Sequence, residues 1–98
     1  MGARRSATAK DAHSFDGTWG GAQNSVTAQV IFAGATLIGF YWRNDYIDAD
    51  HPKFSEDGRS VSFVFPGGTA TLRRTGEETA TIEVVEGAKV TRLNLKRD

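Results

Sequence analysis

Apolar residues recur at every second position through most of this chain. Val26, Ala28, Val30 and Phe32 share one side of an extended run. Val61, Phe63 and Phe65 do the same, as do Ala70 and Leu72, then Ala80, Ile82 and Val84, and finally Leu93 and Leu95. A period of two is the signature of a strand with one face on a core. Turn chemistry separates the runs: residues 20–25, Ala33-Gly34-Ala35, Arg43-Asn44, residues 56–59, Pro66-Gly67-Gly68, residues 75–78 and Gly87-Ala88. No window of helical length carries a 3.6-residue apolar period. Short strands at regular spacing predict an all-β domain. The brevity of the connections predicts an antiparallel up-and-down meander that closes as a small seven- or eight-stranded barrel. Closure removes the two exposed edges. At about eight strands, side chains suffice to fill the interior, leaving at most a shallow pocket at one mouth.

Three places depart from clean alternation. Residues 36–42 are apolar on both faces, with Leu37 and Tyr41 on one and Ile38, Phe40 and Trp42 on the other, and Gly39 marks a bend or a close backbone approach. Val90 is out of phase with Leu93 and Leu95, which predicts a bulge near Thr91. Residues 45–50 read as a short polar strand, and Pro52 confines any strand beyond it to an edge or an end.

Trp19 is the residue around which this pattern is organised. It sits between Gly17 and the pair Gly20-Gly21, where the polar N-terminal stretch gives way to β-like runs. A Trp in that position plugs one end of a small barrel, and its indole N–H needs a partner. The flanking glycines allow neighbouring backbone to come close.

Ninety-eight residues make one domain: a flexible N-terminal segment, 1–14, and a single barrel, 15–98. The twelve basic side chains balance the twelve acidic ones with no basic block. Nucleic acid is therefore not an expected partner, since its binders present a clustered cationic face. No apolar run reaches membrane-spanning length. Arg4 and Arg5 precede no apolar stretch, so the first fourteen residues read as the start of a mature chain rather than an intact signal peptide. Cysteine is absent, which removes disulfides, zinc–thiolate sites and cysteine nucleophiles. No cofactor is expected.

Gly17-Thr18-Trp19 resembles the Gly-Xaa-Trp signature of the calycins, the lipocalin-like and avidin-like barrels. The resemblance implies a Trp at the closed barrel end packed against an Arg of the last strand, for which Arg92 and Arg97 are the candidates. Residues 15–96 also resemble small exported proteobacterial domains that open with Phe-Asp-Gly-Thr-Trp. Gly39-Phe40-Tyr41-Trp42 and Thr71-Leu72-Arg73-Arg74-Thr75-Gly76 carry the rest of that likeness. It implies a periplasmic or secreted address and no assigned activity. Gly20 and Gly21 stand where an avidin-like site expects Asn, so biotin binding does not carry over.

The stretch from Tyr41 to His51 is the densest in chemistry. Tyr41, Trp42, Arg43, Tyr46, Asp48 and His51 are the expected ligand-binding residues. On a regular strand Asp48 and Asp50 would share a side, with His51 beside them. That arrangement suits acid–base work or a hard cation, but the spacing lacks the Gly and distant Glu of a calcium loop. A solvated polar edge that discourages sheet-to-sheet association accounts for the same residues. No serine sits in a strand-turn-helix elbow, and the Arg73-Arg74 pair reads as surface charge facing Glu83 or Glu86 across a hairpin. The leading expectation is a non-enzymatic binding domain that contacts a small apolar ligand or a protein partner. The alternative is a small barrel enzyme using Asp48, Asp50, His51 and Tyr41 or Tyr46. Ile31, Val64 and Val85 point outward with one face of residues 36–42, which predicts a homodimer centred on Ile38 or Trp42.

Overall fold

The computed structural model describes residues 15–97, and the N-terminal segment 1–14 lies outside the described residues. Within them the chain forms nine strands and no α-helix. They are β1 (Gly17–Gln23), β2 (Val26–Ala33), β3 (Thr36–Trp42), β4 (Asp45–Ile47), β5 (Asp50–Phe54), β6 (Ser60–Phe65), β7 (Gly68–Arg74), β8 (Thr79–Glu86) and β9 (Lys89–Arg97). All belong to one sheet in the order β4-β3-β2-β1-β9-β8-β7-β6-β5, and every ladder is antiparallel.

That order has a geometrical consequence. Directions alternate across the sheet, so its two edge strands, β4 and β5, run the same way. They are also consecutive in the chain, separated only by Asp48 and Ala49. The sheet therefore curls until its two edges are the halves of one bent strand, the first paired with β3 and the second with β6. This is the expected meander in barrel-like form. Aromatic contacts cross the enclosed space: Phe40 of β3 meets Phe63 and Phe65 of β6 at 5.1 and 5.5 Å between ring centroids. Phe32 of β2 meets Phe54 of β5 at 6.0 Å.

The apolar sets of β2, β6, β7, β8 and β9 all point inward, with Val26 at the rim only partly covered. Tight hairpins join them as the turn residues require. Asn24-Ser25 and Arg43-Asn44 each take positive φ at both positions, the two-residue geometry whose twist matches that of the flanking strands.

Three local expectations need correction. Gly20 and Gly21 are strand, not turn: β1 continues through them, and only Asn24 and Ser25 turn. The ladder from β8 to β9 is regular throughout, so there is no bulge near Thr91, and Val90 simply faces outward beside Val85. The irregularity falls instead between β2 and β3, where Ile31 pairs with Gly39 but Phe32 pairs with Leu37. Ile38 is the extra residue. It is pushed outward to 53% exposure, while Leu37 packs against the core and Phe40 and Trp42 keep their inward phase. A bulge is how one strand supplies apolar groups in two successive phases to the same core.

Candidate functional site

The end of the barrel near Trp19 is closed by side chains. Trp19 is fully buried, and its indole Nε1–H donates to the Phe15 carbonyl oxygen at 2.8 Å. Phe15 packs on Trp19, Phe32 and Phe54. Arg97, not Arg92, supplies the cation: its guanidinium carbon lies 4.6 Å from the Trp19 ring centroid. The same guanidinium donates to the carbonyl oxygens of Asp16, at 3.1 Å, and Glu77, and sits 3.6 Å from the Glu78 carboxylate. Arg92 belongs to the surface, bonded to Glu83 at 2.8 Å. Glu83 thus pairs along the β8–β9 hairpin rather than with Arg73 or Arg74, which stand opposite Thr81 and Ala80.

The residues expected to bind ligand do not converge. Trp42 is 4% exposed and turned inward against Phe40, so it is core rather than contact surface. Its Nε1 finds no hydrogen-bond partner among the described residues, and Arg43 covers its ring at 5.5 Å. Tyr41 and Tyr46 stand on the outer wall in an edge-to-face pair, 5.5 Å apart. Asp48 lies in the break between β4 and β5, where strand alternation is lost, so the sharing of a side with Asp50 does not follow from the fold.

Farther along, Asp50 and His51 are held together by their own backbone. Asp50 Oδ1 accepts the His51 N–H at 2.8 Å, and His51 takes positive φ at a β5 irregularity between Asp50 and Lys53. Their side chains are 3.8 Å apart in open solvent. His51 lines a shallow outer depression with Lys53, Ser62, Val64, Thr69 and Thr71. No group of three or more metal-ligating side chains forms among the described residues. Tyr41 and Tyr46 are thus one pair, Asp50 and His51 another, and they face different parts of the surface.

The outward apolar face of residues 36–42 is where the pattern places it; what pattern reading missed is the way its neighbours are arranged on the outer wall of β1–β4. A methyl group built on Gly39 would touch Tyr41 Cε1, Ile31 Cδ1 and Tyr46 Cε1 at 3.7, 3.8 and 3.9 Å. These three side chains converge over the bare backbone of Gly39, and Ile38 extends the apolar surface. The row Tyr46–Tyr41–Gln29–Gly20 runs across the same wall. Beside it lies an open groove of about 320 Å³ lined by Gly20, Gly21, Thr27, Ala28, Gln29, Tyr41 and Asn44. Glycine at two outward positions, Gly20 of β1 and Gly39 of β3, was the available signal. Val64 and Val85 lie instead in a separate row across β6–β8, so the outward apolar residues do not form one patch.

At the Trp19 end, the turns at 57–59 and 74–77 border a polar cavity of about 380 Å³. Asp57 accepts hydrogen bonds from the Ser55 hydroxyl at 2.5 Å and the Arg59 N–H at 3.0 Å. Those bonds, the Ser55 hydroxyl first, hold its carboxyl below the usual 3.8. Both serve the turn itself. No helix among the described residues is long and apolar enough to cross a membrane. No protein family, curated protein or solved structure matches this chain.

Proposed function

We propose that this chain is a non-enzymatic binding domain, an exported calycin-like barrel that meets its partner on its outer wall rather than in its interior. One observation carries the reading: the enclosed space is occupied by two groups of rings, Phe32 with Phe54 and Phe40 with Phe63 and Phe65, while Ile31, Ile38, Tyr41 and Tyr46 lie outside. Ile38 and Tyr46 are more than half exposed. Aromatic groups with one apolar face and one polar tip are common anchors at interfaces. The calycin kinship is supported by Trp19 under Arg97. The exported address rests on the other resemblance, to small exported proteobacterial domains, and is checked by following the tagged full-length protein through cell fractions.

A second copy of this chain is the partner that best suits the patch. A two-fold pairing needs only one self-complementary surface, and a small domain with a thin core gains buried area by association. Ile38, next to the Gly39 centre of the patch and 53% exposed, is the test position. Light scattering at tens of micromolar should return a dimer mass, and Ile38→Lys should return the monomer. A monomer for the unaltered chain, or a dimer that persists in Ile38→Lys, overturns the pairing.

A further inference from the structure

Nothing in the fold requires glycine at position 20. Its backbone avoids the left-handed region, and a methyl group built there would approach nothing closer than the Ala28 carbonyl oxygen, at 3.9 Å. Gly21 is different, because a methyl group there would collide with the Asn94 carbonyl oxygen. Glycine inside a strand weakens it and often marks a place where another molecule comes close. Trp19 points inward, so Gly20 points outward, onto the floor of the outer groove. The missing side chain is what keeps that floor open.

The groove walls have one chemical character. Tyr41 offers an aromatic ring at 37% exposure, braced by the edge-to-face contact with Tyr46. Gln29 stands between Tyr41 and Gly20 in the ladder row. Thr27 donates its hydroxyl to Asn44 Oδ1 at 3.1 Å, which fixes the amide and leaves its NH₂ free to donate outward. Every polar side chain in the lining is a neutral amide or hydroxyl. Lys96 faces Gly20 across the next ladder but does not line the groove. A charged ligand would therefore leave water without a counter-charge in the lining.

We infer that this groove is a subsite for a neutral saccharide. The pyranose C–H face stacks on Tyr41, and vicinal hydroxyls exchange hydrogen bonds with the Gln29 and Asn44 amides. Few, well-placed polar groups around an apolar surface are what such a site needs. The inference rests on reading the outer wall as the binding surface, but not on self-association.

Titration of the full ¹⁵N-labelled chain with neutral gluco- and N-acetylglucosamine oligosaccharides at about 10 mM tests it, since even a millimolar Kd registers there. Shifts are expected at the amides of Gly20, Gly21 and Gln29. Gly20→Leu fills the floor and Tyr41→Ala removes the stacking plane. Each should weaken binding about tenfold or more, equivalent to about 1.4 kcal/mol, with the amide spectrum of the folded barrel kept. Absence of shifts with every neutral oligosaccharide overturns the inference. So does binding that survives both substitutions, or binding confined to uronic-acid oligomers. Tyr41 also belongs to the self-association patch, so each titration is run on the unaltered chain and on Ile38→Lys: shifts in Ile38→Lys sustain the saccharide site whether or not the dimer forms, and their absence there overturns it.

Discussion

Arg97 lies across the face of Trp19 at 4.6 Å while its two terminal nitrogens reach carbonyl oxygens on separate turns, those of Asp16 and Glu77. One side chain thus joins the last strand, the entry to the first and the β7–β8 turn. A cation on an indole is worth about 2 kcal/mol when partly desolvated, and hydrogen bonds from a charged donor add to it. Arg97→Lys keeps the charge but not the planar fork. It should cost about 1–2 kcal/mol by denaturant titration. Trp19→Ala should cost about 3–5 kcal/mol. A loss below about 1 kcal/mol would mean the Trp is not a plug.

The two tryptophans should respond differently to the same change. Trp19→Phe leaves the buried Phe15 carbonyl without its donor, which costs roughly 1–3 kcal/mol beyond the lost volume. Trp42→Phe also loses volume, but it removes an indole N–H that has no partner among the described residues. Its net cost should be about 1 kcal/mol less than at position 19 or better. Equal midpoints for the two variants would show that the Trp42 N–H is satisfied.

Adjacent glycines make a second paired comparison. Gly21→Ala forces a methyl group onto the Asn94 carbonyl where β1 and β9 approach, and Gly68→Ala does the same against Val85. Each should destabilise by about 1–3 kcal/mol. Gly20→Ala should be neutral or stabilising by about 0.4–1 kcal/mol, because its site is compatible and the unfolded chain loses freedom. Thermal unfolding of the three variants decides the matter. A Gly20→Ala loss comparable to that of Gly21→Ala would remove the argument that the outer groove explains Gly20.

Acid should loosen the turn after β5. The Asp57 carboxyl is held below its ordinary 3.8 by the Ser55 hydroxyl and then by the Arg59 N–H. A depressed folded value means its stabilising contribution is present above 3.8 and fades as pH falls through the folded value. Carboxyl carbon NMR should therefore place the Asp57 midpoint below 3.8, and Asp57→Asn should remove that part of the acid dependence. A midpoint at or above the ordinary value would contradict the turn geometry.

The strands, their inward sets and the two-residue hairpins were readable because they depend on residues near one another in the chain. Alternation fixes a face, and Arg43-Asn44 tolerates the positive φ that its turn demands. The Trp19 plug was readable for the same reason. Register was not. Whether Val90 or Ile38 carries an irregularity depends on which residues lie opposite, and only the β2–β3 ladder shows that Phe32 takes Leu37 as its partner. The break at Asp48–Ala49 was hidden likewise, since one strand leaves β3 and joins β6 there. The richest run of polar and aromatic residues consequently dispersed. The outer groove went unread because its signal was the absence of a side chain at Gly20, which its neighbours make look like part of a turn.

Every ladder except the one from β1 to β9 joins strands that follow each other in the chain, or nearly so, which bears on the order of folding. Hairpins form within microseconds and need no distant partner. The β1–β9 ladder, with Trp19 opposite Arg97 and Gly20 opposite Lys96, must bring together ends separated by roughly 76 residues, at an entropic cost on the order of 4 kcal/mol. It is also the shortest of the ladders that pair full strands. The slow step of folding is then the meeting of the two ends, and the Trp19–Arg97 contact forms late. Substitutions at Arg97 weaken the contact that this step makes and should therefore retard refolding as well as accelerate unfolding.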